Sequence, residues 1–220
     1  MDTTSADYYG LVESKLYTSV LADVMDGLGH MNQTLPHDIR PIYDGARVVG
    51  RAATMRTVDV DTVPEEPHKL LLELLDTLEP GEVVVCTTGG SMHAAVWGEL
   101  LSTHARSRGA RGAVIEGPTR DSWGIIDMRF PVFASGLTPA DSKGRIEVTE
   151  IRVPVEVGGV PIRDGDLVVG DQDGCVVVPQ EIEGEVVEHA LAKVDAEDTV
   201  RDLLREGASI RRVFKEHGVL

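Results

Sequence analysis

A strand–helix–strand unit between residues 82 and 117 constrains the fold of this chain more than any other feature. EVVVCTT (82–88) and GAVIEG (112–117) are short, valine-rich runs that are typical of buried strands. Between them, a glycine-rich loop (89–98) leads into ELLSTHARSRG (99–109), which predicts a helix ending at Gly109. Two strands joined through a helix over so few residues predict a parallel βαβ unit with a right-handed crossover.

The segments on either side of this unit predict further helices and strands. The predicted helices cover residues 9–29, where Gly27 and Gly29 end the helix, 65–78 and 181–206, the last as one or two amphipathic helices, and a short helix follows the break at 205–209. The predicted strands cover residues 47–60 and 131–136, and residues 167–179 predict a hairpin with Gly174 at a positive φ. The sequence therefore predicts a mixed α/β or α+β fold in one compact domain with a helical tail.

Composition narrows the function classes. The 220 residues include 21 Lys and Arg against 37 Asp and Glu, a net charge of −16, which argues against nucleic acid as the main partner. No apolar stretch approaches the roughly 18 residues that a membrane span needs, and residues 1–10 lack the features of a signal peptide. Cys86 and Cys175 lie in valine-rich runs and are expected to be buried thiols. We expect a cytoplasmic protein without a membrane partner.

Missing motifs exclude several chemistries. The sequence contains no GxxxxGK[ST], GxGxxG, GxSxG or HExxH motif, and its histidines show no HxH spacing or pairing with cysteine. A zinc site of nitrogen and sulfur ligands is therefore not expected. A metal in this protein would be a hard cation on oxygen ligands.

The edge of the sheet where the βαβ strands end is the expected ligand site. The predicted helix over 99–109 begins there, and its free N–H groups at Leu100 and Leu101 favour an anion. Arg120 and Asp121 follow the next strand, and Glu99 opens the helix. Because these groups come from two loops at one edge, they predict an anion site that can include a metal.

Each of these residues also has a purely structural interpretation. An Arg-Asp pair recurs at 163–164 and 201–202, so on its own it is more typical of a solvated loop. Glu99 is favoured at a helix start by the helix dipole alone. The same holds for turn glycines (Gly89, Gly90, Gly98), a loop histidine that could carry a proton (His93), and two tryptophans that could wall a pocket or fill the core (Trp97, Trp123).

The segment WGELLSTHARSRGARGAVIEGPTRD (97–121) resembles the signature of the class II pyruvate aldolase family, the RraA-like proteins. This family includes the 4-hydroxy-4-methyl-2-oxoglutarate / 4-carboxy-4-hydroxy-2-oxoadipate aldolases and the regulator of ribonuclease activity A. The shared pattern is an acidic residue, twenty intervening residues and Arg-Asp; here Glu99 replaces the more usual Asp. Further blocks resemble the family at residues 50–57, 80–85, 130–139 and 157–179.

The resemblance implies a fold, an assembly and a set of roles. The fold would be a swivelling β/β/α domain over residues 1–180, assembled as a homotrimer or homohexamer with active sites between subunits. Asp121 would bind Mg²⁺ or Mn²⁺, and Glu99 would hold a water on that metal. Arg120 would bind the pyruvyl oxygens and stabilise the enolate, while Gly98 and the N–H groups of Leu100 and Leu101 would bind the substrate carboxylate.

The helical tail, residues 181–220, carries a further implied role. In the aldolases of this family a C-terminal helix packs on a neighbouring subunit and brings a glutamate into its site, and Glu197 matches that glutamate. A solvated helical Glu is an equal alternative. The sequence also departs from the family at Pro118, Thr119 and Gly124, where some members carry an acidic or amide residue in place of the glycine, so the substrate pocket is expected to differ.

Three functional hypotheses follow. The first is a divalent-metal lyase that cleaves a 4-hydroxy-2-oxo acid by a retro-aldol reaction, releases pyruvate and also decarboxylates oxaloacetate. The second is a non-catalytic regulator that binds another protein through an acidic surface. The third is an enzyme with the same chemistry on a specialised metabolite.

Overall fold

A computed structural model describes residues 3–218 and shows one curved eight-stranded sheet surrounded by helices. The helices are α1 (Ala6–Lys15), α2 (Thr18–Gly27), α3 (Lys69–Asp76), α4 (Glu99–Ser107), α5 (Ser122–Asp127), α6 (Glu183–Arg205) and α7 (Ile210–His217). The strands are β1 (Arg40–Pro41), β2 (Val48–Asp59), β3 (Glu82–Thr87), β4 (Gly112–Thr119), β5 (Val132–Leu137), β6 (Ile146–Ile151), β7 (Val155–Val157), β8 (Val160–Ile162), β9 (Leu167–Asp171) and β10 (Gly174–Val178).

The sheet nearly closes into a barrel. Its strand order is β1-β5-β4-β3-β2-β9-β10, β6 pairs with the second half of β2, and β7 and β8 form a separate hairpin. The two edges approach each other, since Arg40 in β1 donates to the carbonyl of Asp173 beside β10 at 2.6 Å. Valine, isoleucine and Phe133 from the strands fill the interior. This architecture confirms the mixed α/β fold with a C-terminal helical region.

The predicted βαβ unit is confirmed. β3 and β4 are parallel neighbours, with Val84 opposite Ala113, and α4 connects them. β2 and β5 extend the same parallel set on either side. The predicted hairpin is also confirmed, because β9 and β10 are antiparallel and Gly174 has φ +133°. The four parallel strands therefore end at one edge of the sheet.

Two helix predictions need correction. The single helix expected over 9–29 is two helices, because Leu16 and Tyr17 adopt extended backbone. The carboxylate of Asp171 accepts hydrogen bonds from the N–H and hydroxyl of Thr18, at 2.8 and 2.7 Å, so a residue far along the sequence fixes the start of α2. The helix expected over 65–78 begins only at Lys69, since His68 is left-handed with φ 63°.

The helical tail packs on its own chain over its first half. α6 contacts α1 and α2, and Val186, Val187 and Ala190 share their hydrophobic cluster. The expectation that residues 181–220 also pack on a neighbouring subunit stays a prediction, and residues 219–220 lie outside the described part of the chain. Across residues 3–218, none of the helices has both the length and the apolar character needed to cross a bilayer.

Both cysteines are buried in the sheet, as expected. Cys86 and Cys175 are free thiols with 0% and 1% exposure. Burial raises the pKa of both thiols well above the ordinary value, because the thiolate would lose its hydration. Neither thiol is therefore a candidate nucleophile.

Candidate active site

Backbone pairing beyond β4 holds three segments together at the carboxyl edge of the sheet. The N–H of Arg120 donates to the carbonyl of Trp97 at 3.0 Å, and the N–H of Ala95 donates to the carbonyl of Ala140 at 3.0 Å. Isolated bridges join Trp97 to Thr119 and Ala95 to Asp141. The segment over 95–98 is thus fixed between the end of β4 and the segment over 138–142. This pairing brings Gly98, Arg120 and Asp141 to one place.

The guanidinium of Arg120 lies between two carboxylates. Its Nη1 donates to Oδ1 of Asp141 at 2.9 Å, and its Nε lies 3.3 Å from Oδ2 of Asp121. The side chain is 36% exposed, so the remaining N–H groups can reach a ligand. These two contacts orient the guanidinium, and its planar fork suits a carboxylate or a 2-oxo acid.

Asp121 holds an unusual backbone conformation. Its φ of 55° and ψ of 34° are left-handed, a region that residues other than glycine enter rarely and that recurs at functional sites. It is the N-cap residue of α5, yet its side chain caps no N–H of that helix. The carboxylate therefore does not cap α5; it contacts Arg120 and, at 42% exposure, is accessible to a ligand.

The donor set limits what metal the site can hold. Among residues 3–218 no cluster of three or more His, Cys, Asp or Glu side chains is arranged to ligate an ion. A cage made only of protein ligands is therefore not present in that part of the chain. Mg²⁺ commonly keeps several waters and uses one or two carboxylates, and the half-exposed carboxylate of Asp121 fits that kind of site.

Gly98 is required by close packing. It is the N-cap residue of α4 and has extended backbone, so turn geometry does not explain it. A Cβ at this position would lie 2.9 Å from Oδ2 of Asp121 and 3.1 Å from Cγ of Arg120. By contrast, Gly89 and Gly90 have positive φ and open space, as the turn interpretation predicts. A side chain at 98 would thus displace both site residues.

The first turn of α4 faces the same place. No side chain caps its N-terminus, and Leu100 and Leu101 line a cavity of about 160 Å³ together with Gly98, Arg120 and Asp121. N–H groups in a first helical turn have no partner within the helix, and the helix dipole favours an anion beside them. The cavity is small, and its walls combine leucines with one cation and two carboxylates. A small organic acid suits it.

Glu99 lies beside this cavity, not in its lining. Its Oε1 accepts a hydrogen bond from the hydroxyl of Thr103 at 2.8 Å. Its side chain also packs against Gly124, where an added Cβ would lie 2.6 Å from Cγ of Glu99. The absence of a side chain at Gly124 thus makes room for the side chain of Glu99.

Comparison with known proteins agrees with the sequence resemblance. The RraA-like family model, described as Aldolase/RraA, matches residues 18–177. The chain belongs to the RraA-like family. A relative in Halalkalibacterium halodurans, named "Putative 4-hydroxy-4-methyl-2-oxoglutarate aldolase", is 34% identical over 84% of this chain and 82% of its own length.

Solved structures of similar proteins share the fold. An uncharacterized protein from Pseudomonas syringae is 30% identical, covers 95% of this chain and 97% of its own, and superposes with a TM-score of 0.83. RraAS2 of Streptomyces coelicolor, described as an unusual member of the RNase ES inhibitor RraA family, is 26% identical, covers 90% and 96%, and has a TM-score of 0.79. The fold assigned from the resemblance is therefore confirmed.

Three predicted residues lie away from the cavity or serve the core. His93 is exposed, and only its backbone N–H is bonded, to the Ser91 hydroxyl at 3.3 Å. Trp97 is buried and its indole donates to Ser102 at 2.9 Å, so it fills the core at the back of the cavity, while Trp123 is 78% exposed. Trp97 therefore both fills the core and forms part of the cavity wall, whereas the position of His93 gives it no role.

Glu197 is held elsewhere within its own chain. Its carboxylate accepts a hydrogen bond from the hydroxyl of Tyr17, and Arg201 and Lys193 lie near it on α6. It lines a separate groove with α2, not the cavity of Arg120. Burial, and then the hydrogen bond to the carboxylate, raise the pKa of Tyr17 to about 12. The entry of Glu197 into a neighbouring subunit's site stays a prediction.

Two residues that line the cavity were not predicted from the sequence. Asp141 orients Arg120 from a segment that carries no motif of its own. His68 also lines the cavity, and its backbone N–H donates to the carboxylate of Glu147 at 2.8 Å. Asp141 belongs to no motif, and no local sequence signal predicts the left-handed φ of His68. Neither residue could therefore be found from the spacing of residues in the sequence.

Proposed function

We propose that this RraA-like protein is a divalent-metal lyase that cleaves a 4-hydroxy-2-oxo acid by a retro-aldol reaction and releases pyruvate, with oxaloacetate decarboxylation as a related activity. The observation that carries the proposal is the guanidinium of Arg120, held by Asp121 and Asp141 beside the open N-terminus of α4. The aldolase name of the relative in H. halodurans supports it.

Substrate binding follows from the two anion-seeking groups. The carboxylate of the 2-oxo acid would accept hydrogen bonds from the N–H groups of Leu100 and Leu101, where the helix dipole favours negative charge. The 2-oxo oxygen would then face Arg120. Because two carboxylates hold its guanidinium in place, little reorganisation accompanies binding.

In the retro-aldol step the C3–C4 bond breaks as the 4-hydroxyl gives its proton to a water and C4 becomes a carbonyl. The electron pair of that bond passes to the 2-oxo oxygen as an enolate, and a proton returned to C3 then completes pyruvate. Arg120 stabilises the negative charge as it develops on this oxygen. Such preorganised electrostatic stabilisation of the transition state is usually the largest single contribution to catalysis. Glu99, at the edge of the site, orients a water and exchanges a proton with it. A Mg²⁺ or Mn²⁺ ion bound by Asp121 would supply Lewis-acid polarisation of the 2-oxo group.

We further propose that the site is completed in a homotrimer or homohexamer. Large apolar side chains are exposed around it, with Leu100 76%, Trp123 78% and Leu72 54% exposed. Such a rim is typical of a surface that another protein covers. A neighbouring subunit would also be the route by which a Glu197 reaches the site.

The test is pyruvate release from oxaloacetate with Mg²⁺, with EDTA and with variants, after subtraction of metal-only decarboxylation. We expect Asp121→Ala to abolish both activity and Mn²⁺ binding measured by electron paramagnetic resonance, and Arg120→Ala to lower kcat by about 100-fold or more. Asp127→Ala on the same helix is the matched control, since Asp127 is exposed and outside the cavity. Full activity in EDTA would overturn the proposal.

A protein-binding regulator is the second candidate. The similarity to RraAS2, described within an RNase ES inhibitor family, and the net charge of −16 favour it. It predicts no turnover, no Mn²⁺ binding and no effect of Arg120→Ala on function. Mn²⁺ binding at Asp121 without turnover of oxaloacetate would instead favour an enzyme for a specialised metabolite.

A further inference from the structure

A second cavity lies at the opposite end of the parallel strands and is lined by four arginines. Its volume is about 310 Å³, and α1, the start of β2, the end of α4 and the turn before β5 form its walls. The arginines are Arg47, Arg106, Arg111 and Arg129, and the one carboxylate in the lining is that of Glu13. A local excess of positive charge in a chain of net charge −16 calls for an explanation.

One of these arginines is committed to the fold. Arg111 donates to Glu13 at 2.5 Å and to the carbonyl of Val49, and its guanidinium stacks on the ring of Tyr9. It is therefore a fixed wall whose charge Glu13 offsets. The lining contains no second carboxylate to offset the charges of the other three arginines.

Those three arginines retain unused donors. Arg47 donates through Nη2 to the carbonyl of Leu16 at 2.6 Å, but its buried Nε has no partner. Arg106 donates once, to the carbonyl of Met128. The guanidinium of Arg129 rests over the ring of Tyr43 and makes no hydrogen bond within residues 3–218. A buried donor left unpaired is costly, and an oxygen ligand in the cavity would satisfy it.

We infer that this cavity binds a small polyanion with two or more phosphate or carboxylate groups. Guanidinium groups bind both kinds of oxyanion through paired N–H···O contacts, and three of them around one space match more than one anionic group. The volume admits a molecule of the size of pyrophosphate or citrate. The site is separate from that of Arg120, because β4 runs from Gly112, beside this cavity, to Thr119 at the other edge.

The test measures binding of pyrophosphate, citrate and inorganic phosphate to the full chain by calorimetry, at constant ionic strength and with EDTA present. We expect saturable binding of pyrophosphate or citrate that is weakened at least about tenfold by Arg106→Gln and by Arg129→Gln. The comparison of the two ligands decides between phosphate and carboxylate. Binding of inorganic phosphate as tight as that of both larger ions would overturn the inference of a polyanion.

Two controls locate the site. Arg108→Gln, two residues from Arg106 and outside the cavity, is expected to leave binding unchanged. Arg120→Ala tests whether the polyanion binds at the other anion site instead. If this variant lost binding while Arg106→Gln retained it, the assignment of the ligand to the arginine-lined cavity would be refuted. Thermal melting verifies that each variant is folded. Absence of saturable binding would overturn the inference. If the Arg106→Gln/Arg129→Gln protein then had a lower molecular mass in light scattering, the arginines would instead form a contact between copies of the chain.

Discussion

Replacement of Gly124 by alanine separates the geometry of the site from the stability of the fold. The new Cβ would lie 2.6 Å from Cγ of Glu99. Since contacting carbons normally lie about 3.5–4.0 Å apart, the side chain of Glu99 must withdraw by about 1 Å. Gly124 is in α5 with φ outside the left-handed range, so alanine is otherwise compatible there and improves helix propensity by up to about 1 kcal/mol.

The expected result is a loss of activity without a loss of stability. Misplacement of a catalytic group by about 1 Å can cost about 100-fold, so we expect kcat/KM for oxaloacetate to fall by about 10- to 100-fold. The free energy of unfolding, from urea titration, should change by less than about 1 kcal/mol, because the gain in helix propensity offsets the repacking of Glu99. Pyruvate release under Mg²⁺ gives the kinetic value.

Gly10→Ala is the matched control. Gly10 lies in α1 with nothing within 4 Å of an added Cβ, so alanine there should stabilise the fold by about 0.5–1 kcal/mol and leave activity unchanged. If Gly124→Ala kept full activity while Glu99→Gln lost it, the position of Glu99 would not depend on Gly124. The reasoning from this contact would then be wrong.

Three further predictions concern buried groups. Glu183→Ala should lower the free energy of unfolding by about 3–5 kcal/mol in urea titration, because it removes a buried carboxylate and leaves the mostly buried guanidinium of Arg51 without its ion-pair partner. Cys86 and Cys175 should not react with Ellman's reagent until the chain unfolds, since burial raises the pKa of both thiols. Because the pKa of Tyr17 is raised in the folded chain, its contribution to stability is present below about pH 10 and is lost as pH rises toward 12. Denaturant titrations at pH 9 and pH 11 should show a fall in the free energy of unfolding, and this fall should be smaller in Tyr17→Phe.

The sequence could predict those parts of the fold that local pattern determines. Valine-rich runs on either side of a helix define β3, α4 and β4, because a parallel pair needs such a crossover. The break between α1 and α2 was missed because it depends on Asp171, which is more than 150 residues away. No periodicity within 9–29 reports that contact.

In the candidate site too, local sequence predicts some residues, and contacts between distant segments determine the others. Glu99, Arg120 and Asp121 could be found because a shared motif and the ends of neighbouring strands mark them. Asp141 and the cavity of Arg106 and Arg129 could not, since they depend on which segments the nearly closed sheet brings together. Four arginines spread over more than 80 residues of sequence have no pattern until the fold assembles them.

The strained backbone of Asp121 explains why the site needs so much support. A left-handed aspartate costs of the order of 1 kcal/mol and persists only where its neighbours fix it. The N–H of Arg120 is bonded to Trp97, and the carbonyl of Asp121 accepts from Gly124 at 3.1 Å, so both sides of the residue are held. The consequence is a carboxylate that is excluded from capping α5 and kept at the cavity beside Arg120. The conformation that is unfavourable for the chain is thus the one that leaves Asp121 available to a ligand.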